Sequence, residues 1–493
     1  MEPNRTPTPA SSPVDLVITG GTIVTDQTSF KGAVAIRDGK VVAVGSDDTM
    51  PEARETFDAT GLHLLPGAID AHVHYREPGY THKEDWRTGT AAAAMGGVTT
   101  VFEMPNTNPP TATVEALRLK QKAAEKAYVD FGLYGLLAED NLDQLEALIE
   151  GGVAAFKCFM GNTFGNLPSP STGAMLEGFE IIARHGLRIS LHAETASIMA
   201  LRQKKLMEAG RTDPLAHLAS RPAVVATEAV SRAAVLAEWT GARIHILHIS
   251  SGDELRPLRD AKARGVDITG ETCPHYLLFD ENAYTDLGPI IRVNPPVREK
   301  HHQRALWEGL KDGTIDMIAT DHAPHDPEEK TREVIWRADC GFPGVETQMA
   351  LMLTQVNAGS LSLTDYVRLS STAPAKAFGL FPHKGALVPG SDADIAIVDL
   401  GRRETIRAEA LHSRGKITPF EGFEVVGVPV HTLVRGRFVM RDRKLIEEAT
   451  GWGLSVTRVQ AMPKPEPRHV DETTAAITGG KSGQAGSSTQ EAA

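Results

Sequence analysis

Six residues suited to holding a metal stand late in separate apolar runs: His72 and His74 in IDAHVHYREPG, Lys157 in VAAFKCFMG, His192 in RISLHAE, His248 in RIHILHIS and Asp321 in IDMIATDHAPH. Side chains alternate faces along a strand, so His72 and His74 project together as a clamp, with Asp70 and Arg76 on the same face. Histidine is the commonest metal ligand, and a divalent ion held by nitrogen and oxygen donors with one open position can make hydroxide near neutral pH. Hydrolysis is therefore the chemistry suggested. Taken singly, each residue has an ordinary structural explanation as a satisfied core or surface side chain. Their conjunction is what argues for a site.

Lys157 is the unusual member. An ammonium has three donors and no lone pair, so it cannot bind a cation as it stands, and burying it between VAAF and CFMG is costly. A lysine snorkelling from a strand end is the plain alternative.

Positioning these residues requires a scaffold of strands. Eight runs have strand character: GAIDAHVHY, TTVFEMPN, VDFGLYGLL, VAAFKCFMG, RISLHAE, RIHILHIS, DITGETCP and DMIATDHAP. Between them lie amphipathic stretches such as TVEALRLKQKAAEKA, GAMLEGFEIIARHG and VATEAVSRAAVLAEWTG, several ending in Gly. Alternating strands and helices predict an α/β fold, a (β/α)8 TIM barrel over 66–383, whose active site lies at the carboxyl ends of the strands. Residues 14–65 and 384–445 carry short alternating runs punctuated by Gly and Asp, which predicts one small β-sandwich domain built from both flanks. Residues 1–13 and those after about 463, within a C-terminal extension over 446–493, are rich in Pro, Ser, Thr, Gly and Ala and are expected to be disordered.

Composition narrows the function. With 493 residues, 41% of them hydrophobic, the chain can bury a large core. A formal charge of −12 without a clustered basic motif argues against nucleic acid, yet a local arginine can still hold a small anion. No apolar run has a membrane span's length and the start lacks signal-peptide order, so a cytoplasmic protein is expected. Three separated cysteines, Cys158, Cys273 and Cys340, suggest neither a disulfide framework nor a cysteine zinc site.

Taken in order, the HVH pair, the lysine in FKCFMG, His192, His248 and Asp321 in TDHAPH resemble the metal site of the amidohydrolase superfamily, specifically its cyclic amidohydrolases: dihydroorotases, allantoinases and hydantoinases. The resemblance covers about residues 14–445. It implies that Lys157 is carboxylated by carbon dioxide and that the carbamate bridges two Zn2+ ions. His72, His74, Lys157 and Asp321 would hold the first ion, and Lys157, His192 and His248 the second, with a hydroxide between them. Asp321 would take the hydroxide proton during attack on the ring amide and return it to the departing nitrogen.

Substrate choice falls to residues beyond the ligands. Arg76 offers a planar fork to a carboxylate, with Asn106 in MPNTNP and His325 in DHAPH beside it, and Asn294 in RVNPPVR as a further contact. Arg76 as a loop cation paired with Glu77 or Asp85 is the alternative. REPG and MPNTNP resemble dihydroorotases, whereas FKCFMG and GETCPHYLL resemble allantoinases and hydantoinases. The reading adopted from sequence is a dihydroorotase acting in pyrimidine biosynthesis on a carboxylate-bearing cyclic amide, with an allantoinase or hydantoinase-like enzyme as the alternative. A noncatalytic scaffold is a third reading, disfavoured because every ligand position is filled. His275 either lines the pocket or supports the seventh strand; His245, three before His248, is assigned to packing on the opposite face. A homo-oligomer is expected, of unspecified size.

Overall fold

The computed structural model describes residues 12–161, 163 and 167–456; most of the terminal segments expected to be disordered lie outside these. Eight parallel strands follow one another around a barrel: Ala68–Val73, Val98–Glu103, Asp130–Leu137, Ala155–Phe159, Arg188–His192, Arg243–Ile246, Ile268–Thr272 and Met317–Ile318. All eight coincide with the apolar runs of the sequence. The eighth is only two residues long, so closure is completed just beyond it by a parallel bridge between Val73 and His322 and by the His74 amide donating to the His322 carbonyl at 2.7 Å. Asp70 reinforces the seam by accepting from the Thr320 amide and hydroxyl.

Ile69, Phe102, Tyr134, Ala155, Leu247 and Met317 belong to one buried apolar cluster with Phe378. Residues from strands on opposite walls meet only in the barrel interior, so this cluster is the floor beneath the site. The outer helices pack by their apolar faces. The helix Val224–Thr240 buries an alanine and valine stripe and ends at Gly241, whose φ of 70° is the left-handed conformation that a helix C-terminus favours. Two helices not anticipated from the pattern, Ala196–Glu208 and Pro214–Ser220, are inserted after the fifth strand. Met199 is the only buried residue of the first of them, so its apolar periodicity is too weak to announce it.

The two flanks of the chain meet in one mixed nine-stranded sheet. The join is the antiparallel pairing of His63–Pro66 with Ile395–Thr405. Lys384 ties this sheet to the barrel: its ammonium lies 2.7 Å from Asp130, the first residue of the third barrel strand, 2.6 Å from Asp394 and 3.1 Å from Asp392. Removing one partner of a buried ion cluster strands the others without compensation. Lys384→Met is therefore expected to destabilise the fold by about 3–5 kcal/mol, read as a lower midpoint in chemical denaturation. A midpoint equal to that of the unsubstituted protein would show that Lys384 does not link the two parts.

Candidate metal centre at the barrel mouth

The strands deliver their ligands late, and the backbone then turns sharply. Arg76, His248 and Asp321 have φ of 62°, 40° and 48°, a left-handed conformation rare for residues with a side chain. Such backbone strain persists where the surroundings over-determine it, commonly at functional sites. Here it redirects each side chain just after its strand has ended.

His72, His74 and Asp321 converge so that one nitrogen or oxygen from each lies within 4.8 Å of the others. Asp321 Oδ1 is 3.1 Å from His72 Nε2 and 3.2 Å from His74 Nε2. The remaining imidazole nitrogens are already engaged: His72 Nδ1 with Glu271 at 2.7 Å and His74 Nδ1 with the Asn106 side-chain oxygen at 2.8 Å. Both partners favour a proton on Nδ1, which leaves the Nε2 lone pairs facing a carboxylate oxygen. Three acceptors gathered in this way repel one another unless a cation lies among them. The donor set therefore fits a metal ion.

A second pair stands beside the first. His192 Nδ1 faces His248 Nε2 at 2.9 Å, while His192 Nε2 meets Glu194 at 3.0 Å. Glu194 is wholly buried, yet the neighbouring Arg221 guanidinium overcomes the desolvation of its carboxyl and holds it down to about 2. As a carboxylate it fixes the proton on His192 Nε2 and leaves Nδ1 available to a ligand. Orientation of a metal-binding histidine through its other nitrogen is the usual supporting arrangement.

Lys157 is buried, with its ammonium 4.7 Å above the Phe159 ring and no carboxylate within ion-pair distance among the described residues. Burial pulls it down to about 7, and burial also pushes Asp321 up to about 6 and Glu271 up to about 8. The imidazoles of His72, His74 and His248 are held well below their ordinary value, chiefly by the same desolvation. A cation in the site would return the acids to carboxylates and use the neutral imidazoles.

The expected substrate contacts occupy different surroundings. Arg76 is buried, its Nε 3.3 Å from the Pro324 carbonyl and its Nη2 3.1 Å from His325 Nε2. Glu77 pairs with Lys126, and Asp85 pairs with Arg414. Behind Arg76, Lys83 bridges His325 at 3.0 Å and Asp339 at 2.7 Å. Asn106 orients His74, and Asn294 is buried with its side-chain oxygen lacking a hydrogen-bond partner among the described residues. His275 packs at a tilt against Tyr276 and edge-on to Phe342, with its Nε2 also lacking a partner among the described residues.

His245 requires a correction. Its ring does more than pack, because it donates or accepts at Thr269 and lies 2.9 Å from Glu271, the same carboxyl group that meets His72. Strict alternation fails because the strand stops at Ile246 and His248 is left-handed. Glu271, Glu194, Lys83 and Arg221 were not picked out in the sequence. The available signal was a charged residue closing an apolar run, as in ITGET and SLHAE.

Residues 63–439 match the amidohydrolase family model. An L-hydantoinase of Paenarthrobacter aurescens is 36% identical over 90% of this chain and 98% of its own length. An allantoinase of Rubrobacter xylanophilus is 38% identical over 89% of this chain and 97% of its own. The solved L-hydantoinase (dihydropyrimidinase) from Arthrobacter aurescens superposes with a TM-score of 0.88 at 36% identity, covering 90% of this chain and 100% of that one. The chain belongs to the amidohydrolase family, and within it to the cyclic amidohydrolases. The hydantoinase and allantoinase likeness extends along nearly the whole chain and supports that alternative better than the dihydroorotase reading drawn from the local words REPG and MPNTNP.

Loss of an outer-shell partner typically weakens metal binding by roughly 10–100-fold. Glu194→Gln is expected to do so at the His192 and His248 pair, measured by competition with a chelator, while leaving the fold intact by circular dichroism. Unchanged metal retention would remove Glu194 from the site.

Proposed function

We propose that this enzyme opens the ring of a hydantoin or allantoin-type cyclic ureide by hydrolysing an endocyclic amide. The observation that carries the reading is the convergence of His72, His74 and Asp321 beside His192, His248 and Lys157 at the carboxyl ends of the barrel strands. The full-length similarity to enzymes named hydantoinase and allantoinase supports this substrate class over dihydroorotate.

His72, His74, Lys157 and Asp321 would hold one zinc ion, and Lys157, His192 and His248 the other. When bound, such a pair supplies Lewis acidity at the scissile carbonyl and a means of activating water near neutral pH. Lys157 joins as a carbamate. Carboxylation needs the free amine, and burial that draws the lysine down to about 7 makes that form plentiful at neutral pH. The neutral amine forms an N–C bond to carbon dioxide and releases one proton, which gives a carbamate whose single negative charge is shared by two oxygens.

Asp321 is the general base and acid. Its carboxylate accepts a proton as the ring carbonyl is attacked and returns it to the departing ring nitrogen. Asn294, with its unsatisfied side-chain oxygen, accepts a ring N–H, and burial removes competing water from that contact. Arg76 and His325, held by Lys83 and Asp339, form a rigid polar wall beside the ligands.

Dihydroorotate is the specific competitor because Asn106 meets His74 and Arg76 meets His325, the residues expected to receive a ring carboxylate. Initial rates on allantoin, hydantoins, dihydrouracil and dihydroorotate separate the readings. The best hydantoin or allantoin substrate is expected to exceed dihydroorotate in kcat/KM by at least about ten-fold. The reverse order would replace this proposal with the dihydroorotase reading, in which Arg76→Ala should impair dihydroorotate far more than a neutral hydantoin.

Intact-protein and peptide mass spectrometry under carbon dioxide-retaining conditions tests the carbamate. One added carbon dioxide is expected on Lys157, together with two equivalents of zinc per chain by elemental analysis. An unmodified lysine in fully active, metal-loaded protein would exclude the carbamate bridge.

A further inference from the structure

A cavity of about 300 Å³ opens against the site wall and is lined by Arg221, Arg292, Asn294, Arg337 and Asp339, among others. Two of these residues connect it to the centre already described. Arg221 bonds Glu194, which bonds His192; Asp339 bonds His325, which bonds Arg76. The cavity therefore adjoins the side chains that hold His192 and Arg76.

The balance of charge in this space is uneven. Arg221 is answered by Glu194, and Asp339 is answered by Lys83 and His325. Arg292 and Arg337 have no carboxylate partner among the described residues. Arg292 spends one Nη on the Ala338 carbonyl, while its buried Nε has no hydrogen-bond partner. Arg337 is exposed at the end of the short turn Ile335–Arg337. Lys330, buried beneath them, donates to the Arg292 and Asp339 carbonyls, and burial draws it down to about 7, so the arginines carry the lasting positive charge. In a chain with a formal charge of −12, two guanidinium groups without a carboxylate partner among the described residues border one cavity.

We infer that this cavity is a subsite for an anionic substituent on the ring, a carboxylate received by Arg292 and Arg337. The inference rests on the proposed ring-opening function and extends it to a substrate class: cyclic ureides with an acidic side chain, as derived from acidic amino acids. Planar guanidinium groups favour carboxylates because their N–H donors match the two carboxylate oxygens, and a charge-assisted contact is stronger than one to a neutral amide. The subsite differs from Arg76 in both position and availability. Arg76 is buried behind Pro324 and His325, whereas Arg292 and Arg337 border open space.

The test uses zinc-loaded protein and two probes, a hydantoin bearing a carboxyethyl group on its substituted ring carbon and the isosteric carboxamide. Binding is measured calorimetrically, independently of turnover. The carboxylate is expected to bind at least about ten-fold more tightly at low salt, with the advantage shrinking as ionic strength rises. In the Arg292→Gln/Arg337→Gln variant the two affinities should become nearly equal through loss of carboxylate binding, while zinc content and circular dichroism are retained. Equal affinities in the unsubstituted protein, or a preference that survives in the variant, would overturn the subsite. Preferential binding without hydrolysis of either probe, or of any ureide in the substrate panel, would overturn the ring-opening function while retaining the anion subsite.

Discussion

Glu271 sits where the demands of fold and site meet. Its carboxyl group contacts His72 from the first barrel strand, and His245 and the His248 amide from the sixth, while its own backbone belongs to the seventh. A buried carboxyl group is costly unless its oxygens are used, and here the barrel supplies partners for both. In return, the imidazole of His72 is held with its Nε2 facing Asp321. The histidine clamp depends on this interaction, because two adjacent imidazoles without outer partners would be free to rotate and to exchange tautomers.

The same logic recurs around the barrel mouth. Asn106 holds His74, Glu194 holds His192, and Arg221 keeps Glu194 ionised. Each supporting residue comes from a different part of the chain from the ligand it orients, except Glu194, which lies two residues beyond His192. The apolar floor of Phe102, Tyr134, Leu247 and Met317 fixes the strands below, so the polar layer above can be dense without being loose. Left-handed backbone at Arg76, His248 and Asp321 is tolerated within that rigid surround.

The clustering of titratable groups also accounts for the behaviour of the site toward charge. Without a cation, burial drives the acids and the lysine toward their neutral forms, with Asp321 at about 6, Lys157 at about 7 and Glu271 at about 8. A cavity that disfavours isolated charge of either sign favours a compact set of opposite charges. Metal ions, carboxylates and the proposed carbamate would form such a set. The arginine-lined space beside it differs: two of its guanidinium groups have no anionic partner among the described residues, and it opens outward.

The eight strands were legible because each is an apolar run bounded by turn residues, and the six metal-binding candidates because their types are unusual at such positions. The order of those motifs also disclosed the superfamily. Sequence alone misjudged what depends on contacts between remote segments. Regular alternation placed His245 on the wrong face because nothing local announced the left-handed turn at His248. Short words such as REPG favoured one substrate, whereas the likeness along the whole chain supports the hydantoinase or allantoinase alternative better. Thus the chain by itself determined the barrel and put forward the candidate ligands, through hydrophobic period and residue chemistry. Only the tertiary structure decided which carboxylates orient the histidines and where unpaired arginines gather, because those arrangements arise from distances across the barrel rather than along the chain.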